Sequence, residues 1–563
     1  MSSSSLLLMS LLFFAYSAAS DSSLTRNSTT GVFKGQINSD YYRKVYEFLG
    51  IPYGKAPIGD KRFRPAELAP YDENVKQATN LSRPCYQSLD STFPGFSGTE
   101  MWNPKEEMTE DCLTLNIWTP AYARNAPVLV WIFGGGFITG SPSLDIYNGA
   151  FLAASTGQVI VAINYRVGPF GFLSLGSSAP PNVGLLDQRL ALQWIQSNIN
   201  NFGGDPNSVT LMGESAGGAS VMAHLHAEGS WPLFQRAIVH SGSMAMPWAN
   251  VRKYKLEEYS RALATALGCS GNNSEMVACM KKQKPEDIVN ESANMMLEYL
   301  QFIFVPVIDD NDLFFGPKGL QNYRQGITKV APILLGYNEN EGSYWLPIYD
   351  PDVFNYKHDG MIDSDTMMRL AQKSFPLLND EERSELITHY RREEANDRDA
   401  LSAMVGDYYF TCGVIDLANR LSSNNSRVYV FYFNYRSKWN PWPEWMGAMH
   451  GYEMEFVFGL PWRKVYKANS TAKDKIMSYH VIAHWNAFVR DRIAQIDDGT
   501  FHLYWPSYQK ERPAYVRFAE SKVSVEYGTL PHTEACKVFN GFKQGWKKAK
   551  NVTRFFRPCC FDV

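Results

Sequence analysis

Val209-Thr210-Leu211-Met212 runs, with no intervening polar loop, into Gly213-Glu214-Ser215-Ala216-Gly217. That junction constrains the fold more than any other stretch of the chain. A short apolar, β-branched run reads as a buried strand. Ala216 to Leu225, with few β-branched residues and no proline, reads as a helix. A strand and a helix joined by so few residues need a sharp turn, which small residues permit. The expected unit is strand, turn and helix with a serine at the apex, the G-x-S-x-G form of a nucleophile elbow. The five-residue pattern alone also describes an ordinary glycine–serine turn, so the rest of the chain must decide.

Similar strands recur at Val128–Phe133, Val159–Asn164, Ala237–His240, Ile333–Gly336 and Val428–Phe433. Helical patterns lie between them, as at Leu185–Asn198 and Lys475–Arg490. Strands alternating with helices predict a doubly wound α/β fold around a large, mostly parallel sheet. Sites collect at the ends of such strands. The chain has 563 residues, 45% hydrophobic and 14% aromatic, enough for one large core. No repeat or linker interrupts it, so one domain is expected over about 21–540. A net charge of −3 gives no sign of nucleic-acid binding.

The first twenty residues read as a secretory signal peptide: an apolar run over 5–16, small residues 17–20, and a cut near Ser20. The run is too short to span a bilayer, and no other segment approaches twenty apolar residues, so no transmembrane span is expected. Secretion favours disulfides among Cys85, Cys112, Cys269, Cys279, Cys412, Cys536, Cys559 and Cys560. Spacing does not give their pairing. N-glycosylation sequons start at Asn27, Asn80, Asn272, Asn290, Asn424, Asn469 and Asn551. Beyond Cys536 the chain is basic, and 541–563 reads as a separate tail.

A serine nucleophile needs a base, an acid to orient that base, and donors for an oxyanion. Gly134-Gly135-Gly136 directly follows a predicted strand, where side chains would otherwise block backbone N–H groups from a substrate oxygen. Gly135, Gly136 and Ala216 are the candidate donors. His450, in a loop after the strand at 428–433, is the candidate base, although a single histidine is more often structural. Glu341, beyond the strand at 333–336, is the candidate acid; with Glu339 close by, the alternative is that Glu341 is a solvated loop carboxylate. Ser215, Glu341 and His450 follow one another in the order of an α/β-hydrolase.

Taken together, the motifs resemble those of the type-B carboxylesterase and cholinesterase family over nearly the whole chain. They are Glu110-Asp111-Cys112-Leu113-Thr114-Leu115-Asn116, the elbow with Phe202-Gly203-Gly204-Asp205-Pro206 before it, and His450-Gly451-Tyr452-Glu453 followed by Phe456-Val457-Phe458-Gly459-Leu460-Pro461. The resemblance implies an α/β-hydrolase fold. Within the family the similarity is greatest to members acting on acetylcholine, on the strength of Gly95-Phe96-Ser97-Gly98-Thr99-Glu100-Met101-Trp102-Asn103-Pro104. By that resemblance Trp102 faces a quaternary ammonium, Glu214 adds negative potential, and Tyr147, Tyr344, Trp442 and Tyr452 complete the aromatic surroundings. Leu300 and Phe302 stand where vertebrate members carry two acyl-pocket phenylalanines, and Trp248 resembles the back wall. Asp90 is retained at the rim, while Ser88, Ile138 and Ile348 replace expected tyrosines.

The resemblance also pairs Cys85 with Cys112, Cys269 with Cys279 and Cys412 with Cys536. Cys559 and Cys560 remain as candidates for a bridge between subunits of a homo-oligomer, with a vicinal disulfide or free thiols as the alternatives. The implied activity is secreted, extracellular hydrolysis of acetylcholine to choline and acetate through an acyl-enzyme on Ser215. The smaller Leu300 extends it to butyrylcholine. No metal or organic cofactor is called for, and the partner is a small choline ester. Two other readings stand beside this one: a general secreted carboxylesterase of neutral esters, and a cholinesterase-like adhesion protein. The complete Ser215, Glu341, His450 set weighs against the latter.

Overall fold

Eleven strands hydrogen bond into one sheet. In chain order they are β1 (Gln36–Asn38), β2 (Val45–Pro52), β3 (Thr114–Pro120), β4 (Ala126–Ile132), β5 (Val159–Ile163), β6 (Gly204–Glu214), β7 (Arg236–His240), β8 (Ile333–Asn338), β9 (Val428–Asn434), β10 (Ala514–Ala519) and β11 (Val523–Tyr527). Across the sheet the order is β11-β10-β9-β8-β7-β6-β4-β5-β3-β2-β1. The computed structural model describes residues 24–548 apart from 296–298, 467, 493–495, 498–501 and 521. The expected leader, the Asn551 sequon, Cys559 and Cys560 lie outside the described residues.

Strands β4 to β10 run parallel and antiparallel strands close both edges. The parallel block is the part whose strands are near-continuous apolar runs, as burial on both faces demands. Every residue of β5 is buried. All six strands expected from apolar runs form, although β6 starts at Gly204, ahead of its apolar part. The antiparallel strands, and the parallel β10 with Arg517 inside it, escape that criterion. In β3 the polar Asn116 sits fully inside, its Oδ1 accepting from Gly50 N (3.0 Å), Ser82 N (3.0 Å) and Ser82 Oγ (3.1 Å). A buried polar side chain is tolerable when so fully bonded.

Helix α1 (Val183–Asn198) and helix α2 (Ala216–His226) occupy the predicted places. Every residue of α2 is buried, which accounts for its small, weakly polar composition. Its two histidines are core residues. His224 pairs with Ser230 Oγ (2.8 Å) and Gln188 Oε1 (3.1 Å), and burial pushes its pKa well down.

The order of the strands reverses beside β4: the chain steps from β4 out to β5, then returns to place β6 on the other flank of β4. Loops leaving the carboxyl ends of β4 and β6 therefore diverge and leave a crevice at this switch point. Among the described residues three disulfides brace the fold, Cys85–Cys112, Cys269–Cys279 and Cys412–Cys536. The asparagines of the six described sequons are all exposed. Among the described residues, no helix is long and apolar enough to cross a membrane.

Candidate active site

Ser215 lies at the junction of β6 and α2 with φ 54° and ψ −122°. A non-glycine residue held there costs on the order of 1–3 kcal/mol and persists only where its surroundings enforce it. They do so here: Ser215 N donates to His240 O (2.9 Å), and Ser215 O accepts from Ala219 N (2.8 Å). The flanking glycines serve close approach. A Cβ on Gly213 would fall 2.3 Å from Gly217 C, and one on Gly217 would fall 2.0 Å from Ile132 O.

The triple glycine follows β4 across the crevice. Gly135 and Gly136 have φ of 110° and 61°, conformations that favour glycine. A Cβ on Gly134 would lie 3.1 Å from Ser215 Cβ, so this loop passes directly over the serine. Ala216 opens α2, and its N–H is among the donors that a helix N-terminus leaves unpaired.

His450 and Glu341 meet behind the serine. His450 Nδ1 donates to Glu341 Oε2 at 2.6 Å. Glu341 Oε1 accepts from Asn338 N (2.7 Å) and Ser241 Oγ (2.5 Å), which fixes the carboxylate at the end of β8. His450 Nε2 stands 3.1 Å from Glu214 Oε1 but makes no aligned hydrogen bond among the described residues. Catalytic hydrogen bonds are often loose without substrate.

The electrostatics follow from burial. Withdrawal from water pushes the Glu214 carboxyl up to about 8, against the pull of His450 and with Glu453 and Glu341 adding to the rise. Burial opposes charge on His450, but Glu214 and Glu341 outweigh it and raise its pKa to about 9. The two groups titrate as a coupled pair.

Ser215, Glu214, His450 and the three glycines line a cavity of about 400 Å³. Trp102, Tyr147, Tyr344, Phe302 and Asp90 line it too, as do Ser88, Ile138 and Ile348. Gly451 lies between Trp102 and Glu214: a Cβ there would be 3.3 Å from the Trp102 ring and 3.5 Å from Glu214 Oε1. An aromatic face and a carboxylate thus bound one corner beside the serine, a combination suited to an organic cation. Asp90 N donates to Asn103 Oδ1 and Asn103 Nδ2 donates to Asp90 O (2.8 Å each), which ties the rim to the segment carrying Trp102.

Four sequence-predicted residues sit elsewhere. Trp442 and Tyr452 do not line the cavity; they form its outer support. Trp442 Nε1 donates to Tyr452 Oη (2.6 Å), which donates to Gly98 O (3.1 Å). The Trp442 and Tyr452 rings pack edge-on against Tyr344 and Trp102 respectively. Leu300 and Trp248 line a neighbouring cavity of about 160 Å³, which meets the first at Phe302. Leu300 is fully buried and does not line the catalytic cavity.

Sequence reasoning missed Trp345, which lines the cavity with its ring 5.4 Å from His450. It stacks on Phe410, itself 4.2 Å from His450, so two aromatic rings confine the imidazole. A second buried network holds the loop carrying His450. Asn338 Nδ2 donates to Met449 O (2.7 Å) and Glu453 Oε2 (2.5 Å), His240 Nδ1 meets Glu453 Oε1 (3.1 Å), and Trp485 Nε1 donates to His240 Nε2 (3.0 Å). The signal for it was modest: Ser241 and His240 end a predicted strand in another small-residue turn.

The sequence model of the Carboxylesterase family matches residues 22–538. An acetylcholinesterase from Bungarus fasciatus is 41% identical over 510 residues, 88% of this chain and 83% of that protein. Acetylcholinesterases from Danio rerio and Electrophorus electricus are each 38% identical over 543 residues, covering 88% of this chain and 84% of theirs.

Proposed function

The chain belongs to the carboxylesterase family and is a carboxylic ester hydrolase, and we propose that its substrate is acetylcholine, cleaved to choline and acetate outside the cell. The observation that carries this reading is the convergence of Trp102 and Glu214 at Gly451, within the cavity that also holds Ser215 and His450. An organic cation is attracted by both the aromatic face and the carboxylate, whereas a neutral ester gains no charge attraction from either.

In the proposed reaction Trp102 and Glu214 hold the ammonium. Ser215 Oγ attacks the acetyl carbon and its proton passes to His450 Nε2. Glu341, fixed by Asn338 N and Ser241 Oγ, stabilises the imidazolium through Nδ1. The N–H groups of Gly135, Gly136 and Ala216 receive the oxyanion. As the tetrahedral adduct collapses, the ester C–O bond breaks and choline leaves with the proton from His450. Water then adds to the acyl carbon, His450 takes its proton and returns it to Ser215 Oγ, and acetate departs.

Phe302 bounds the acyl side, and with leucine at 300 the acyl group meets one aromatic ring there instead of two. Butyrylcholine is therefore turned over more slowly than acetylcholine but measurably. Ser88, Ile138 and Ile348 give the rim no tyrosine stack, so a peripheral-site dye competes weakly.

The test compares acetylthiocholine with its uncharged isostere. Trp102→Ala is expected to lower kcat/KM for the cation by about thirtyfold, from a cation–π contribution of about 2 kcal/mol, and to leave the neutral ester much less affected. Equal specificity constants for the two esters in the unaltered protein refute the choline reading.

A further inference from the structure

Strand β6 carries Ser215 at its carboxyl end, and at its amino end Phe202 and Gly203 border another cavity, of about 420 Å³. Eleven residues at about 3.3 Å each set the two ends roughly 35 Å apart. Strand β3 runs antiparallel to β5, so its last residues, Thr119 and Pro120, reach the same pole and line the cavity. The polar lining includes Arg26, Tyr46, Arg124, Asn125, Asn200 and Asn201, and among the described residues no carboxylate joins them.

The wall continues into further cations. Arg43 lies over the Tyr122 ring, 5.9 Å from its centroid. Lys44 O accepts from Ala121 N (3.0 Å), which holds the Arg43-Lys44 pair against the turn carrying Tyr122 and Arg124. Arg490 approaches from the far side: a Cβ on Gly157 would lie 3.4 Å from Arg490 Nη2 and 3.8 Å from the Tyr122 oxygen. Arg43, Lys44, Tyr122 and Arg124 are exposed.

The acids of these elements are engaged elsewhere. Asp491 meets Arg427 (3.1 Å) and Arg236 (3.8 Å), and Asp40 meets Lys464 (3.8 Å). Glu47 accepts from Gln36 (2.8 Å) and Asn38 (2.9 Å), and Asp205 accepts from Asn207 N (2.9 Å). Arg43, Lys44 and Arg124 form no ion pair among the described residues. A net charge of −3 for the whole chain conceals this basic pole.

We propose that this pole binds a sulfated oligosaccharide. Guanidinium forks meet sulfate oxygens two at a time. The asparagine amides suit sugar hydroxyls, and Tyr122 offers an exposed ring face with a polar tip. A flat bilayer engages a projecting surface, whereas a cavity lined by amides and guanidinium groups receives a chain that enters it. The catalytic cavity, at the other end of β6, stays open.

The experiment titrates the intact enzyme with a heparin hexasaccharide over a range of salt. Binding is expected at physiological ionic strength, about 0.15 M, with hydrolysis of acetylthiocholine unchanged at saturation. Arg43→Gln combined with Arg124→Gln is expected to weaken binding about tenfold and to lower the slope of log affinity against log salt by about two. Lys281→Gln combined with Lys282→Gln removes two cations near Asp60, beyond the opposite end of β2, and is expected to change neither. Desulfated heparin is expected not to bind. Equal losses in the two double variants, hydrolysis blocked at saturation, or equally tight binding to phosphatidylserine vesicles overturns the proposal. Asn201 Nδ2 donates to Asn27 O (3.0 Å), and Asn27 opens a sequon, so protein from a glycosylating host is compared with Asn27→Gln. Binding confined to Asn27→Gln means that the chain's own sugar occupies the groove, and overturns the proposal as well.

Discussion

Replacing Glu214 by glutamine tests the electrostatics of the site directly. Glu214 Oε1 is 3.1 Å from His450 Nε2. At an effective dielectric constant of 20, two full charges at that distance attract by about 5 kcal/mol. Burial pushes Glu214 itself up to about 8, so it carries only part of its charge at neutral pH. The realised effect is then of the usual size for an adjacent opposite charge, about one to three pKa units. The sign is fixed by the chemistry. Glu214 raises the His450 pKa, so removing its charge lowers it, and the neutral imidazole is the form that accepts the serine proton. The acid limb of kcat/KM, which reports ionisations of the free enzyme, moves to lower pH by about one to three units. It does so for acetylthiocholine and for its uncharged isostere alike, because the shift belongs to the histidine. A loss of affinity appears only with the cation. An acid limb that stays in place, or moves to higher pH, refutes the pairing of Glu214 with His450.

Three further outcomes follow from the same geometry. Gly136→Ala places a Cβ against the Phe302 ring at φ 61°; stopped-flow acylation is expected to slow by about a hundredfold, the cost of one displaced oxyanion donor. Paired Cys412→Ser and Cys536→Ser substitutions open a loop spanning 124 residues; denaturant titration is expected to show a loss of about 5 kcal/mol in the chain-entropy picture. His532 is raised to about 9 because Asp407, 2.9 Å away, outweighs the opposing effect of burial. Its stabilisation, at most about 3 kcal/mol, is fully present below its unfolded pKa of about 6.5 and is lost as pH rises through about 9. His532→Gln should flatten melting temperature against pH over that interval.

The parallel strands β4 to β9 were legible because burial on both faces forces continuous apolar runs, while the parallel β10, with Arg517 inside it, was not. Strand β3 was not, since Asn116 interrupts its pattern and earns its buried place only through partners as distant as Gly50. Chain order pointed to Glu341 but gave no reason to reject Glu339. The reason is spatial: Glu341 receives Asn338 N and Ser241 Oγ beside His450, whereas Glu339 pairs with Tyr432. Resemblance of motifs located Trp102 and Glu214, yet could not separate residues on the cavity wall from those one layer behind. Trp442, Tyr452, Trp248 and Leu300 lie off the catalytic cavity wall, a distinction that depends on tertiary packing rather than residue type. Trp345 went unnoticed beside Tyr344 for the same reason.

The Cys85–Cys112 loop encloses Trp102 and Asp90, and none of Ser215, Glu341 and His450. Discrimination and bond cleavage are therefore braced by different covalent links. In a reducing medium the loop bearing the indole gains freedom while the serine stays locked between its sheet and its buried helix. On the proposed choline reading, the first property forfeited is selectivity for charged esters, and what remains is a less discriminating hydrolase. Oxidative maturation, on this arrangement, confers the enzyme's taste before it guarantees its chemistry.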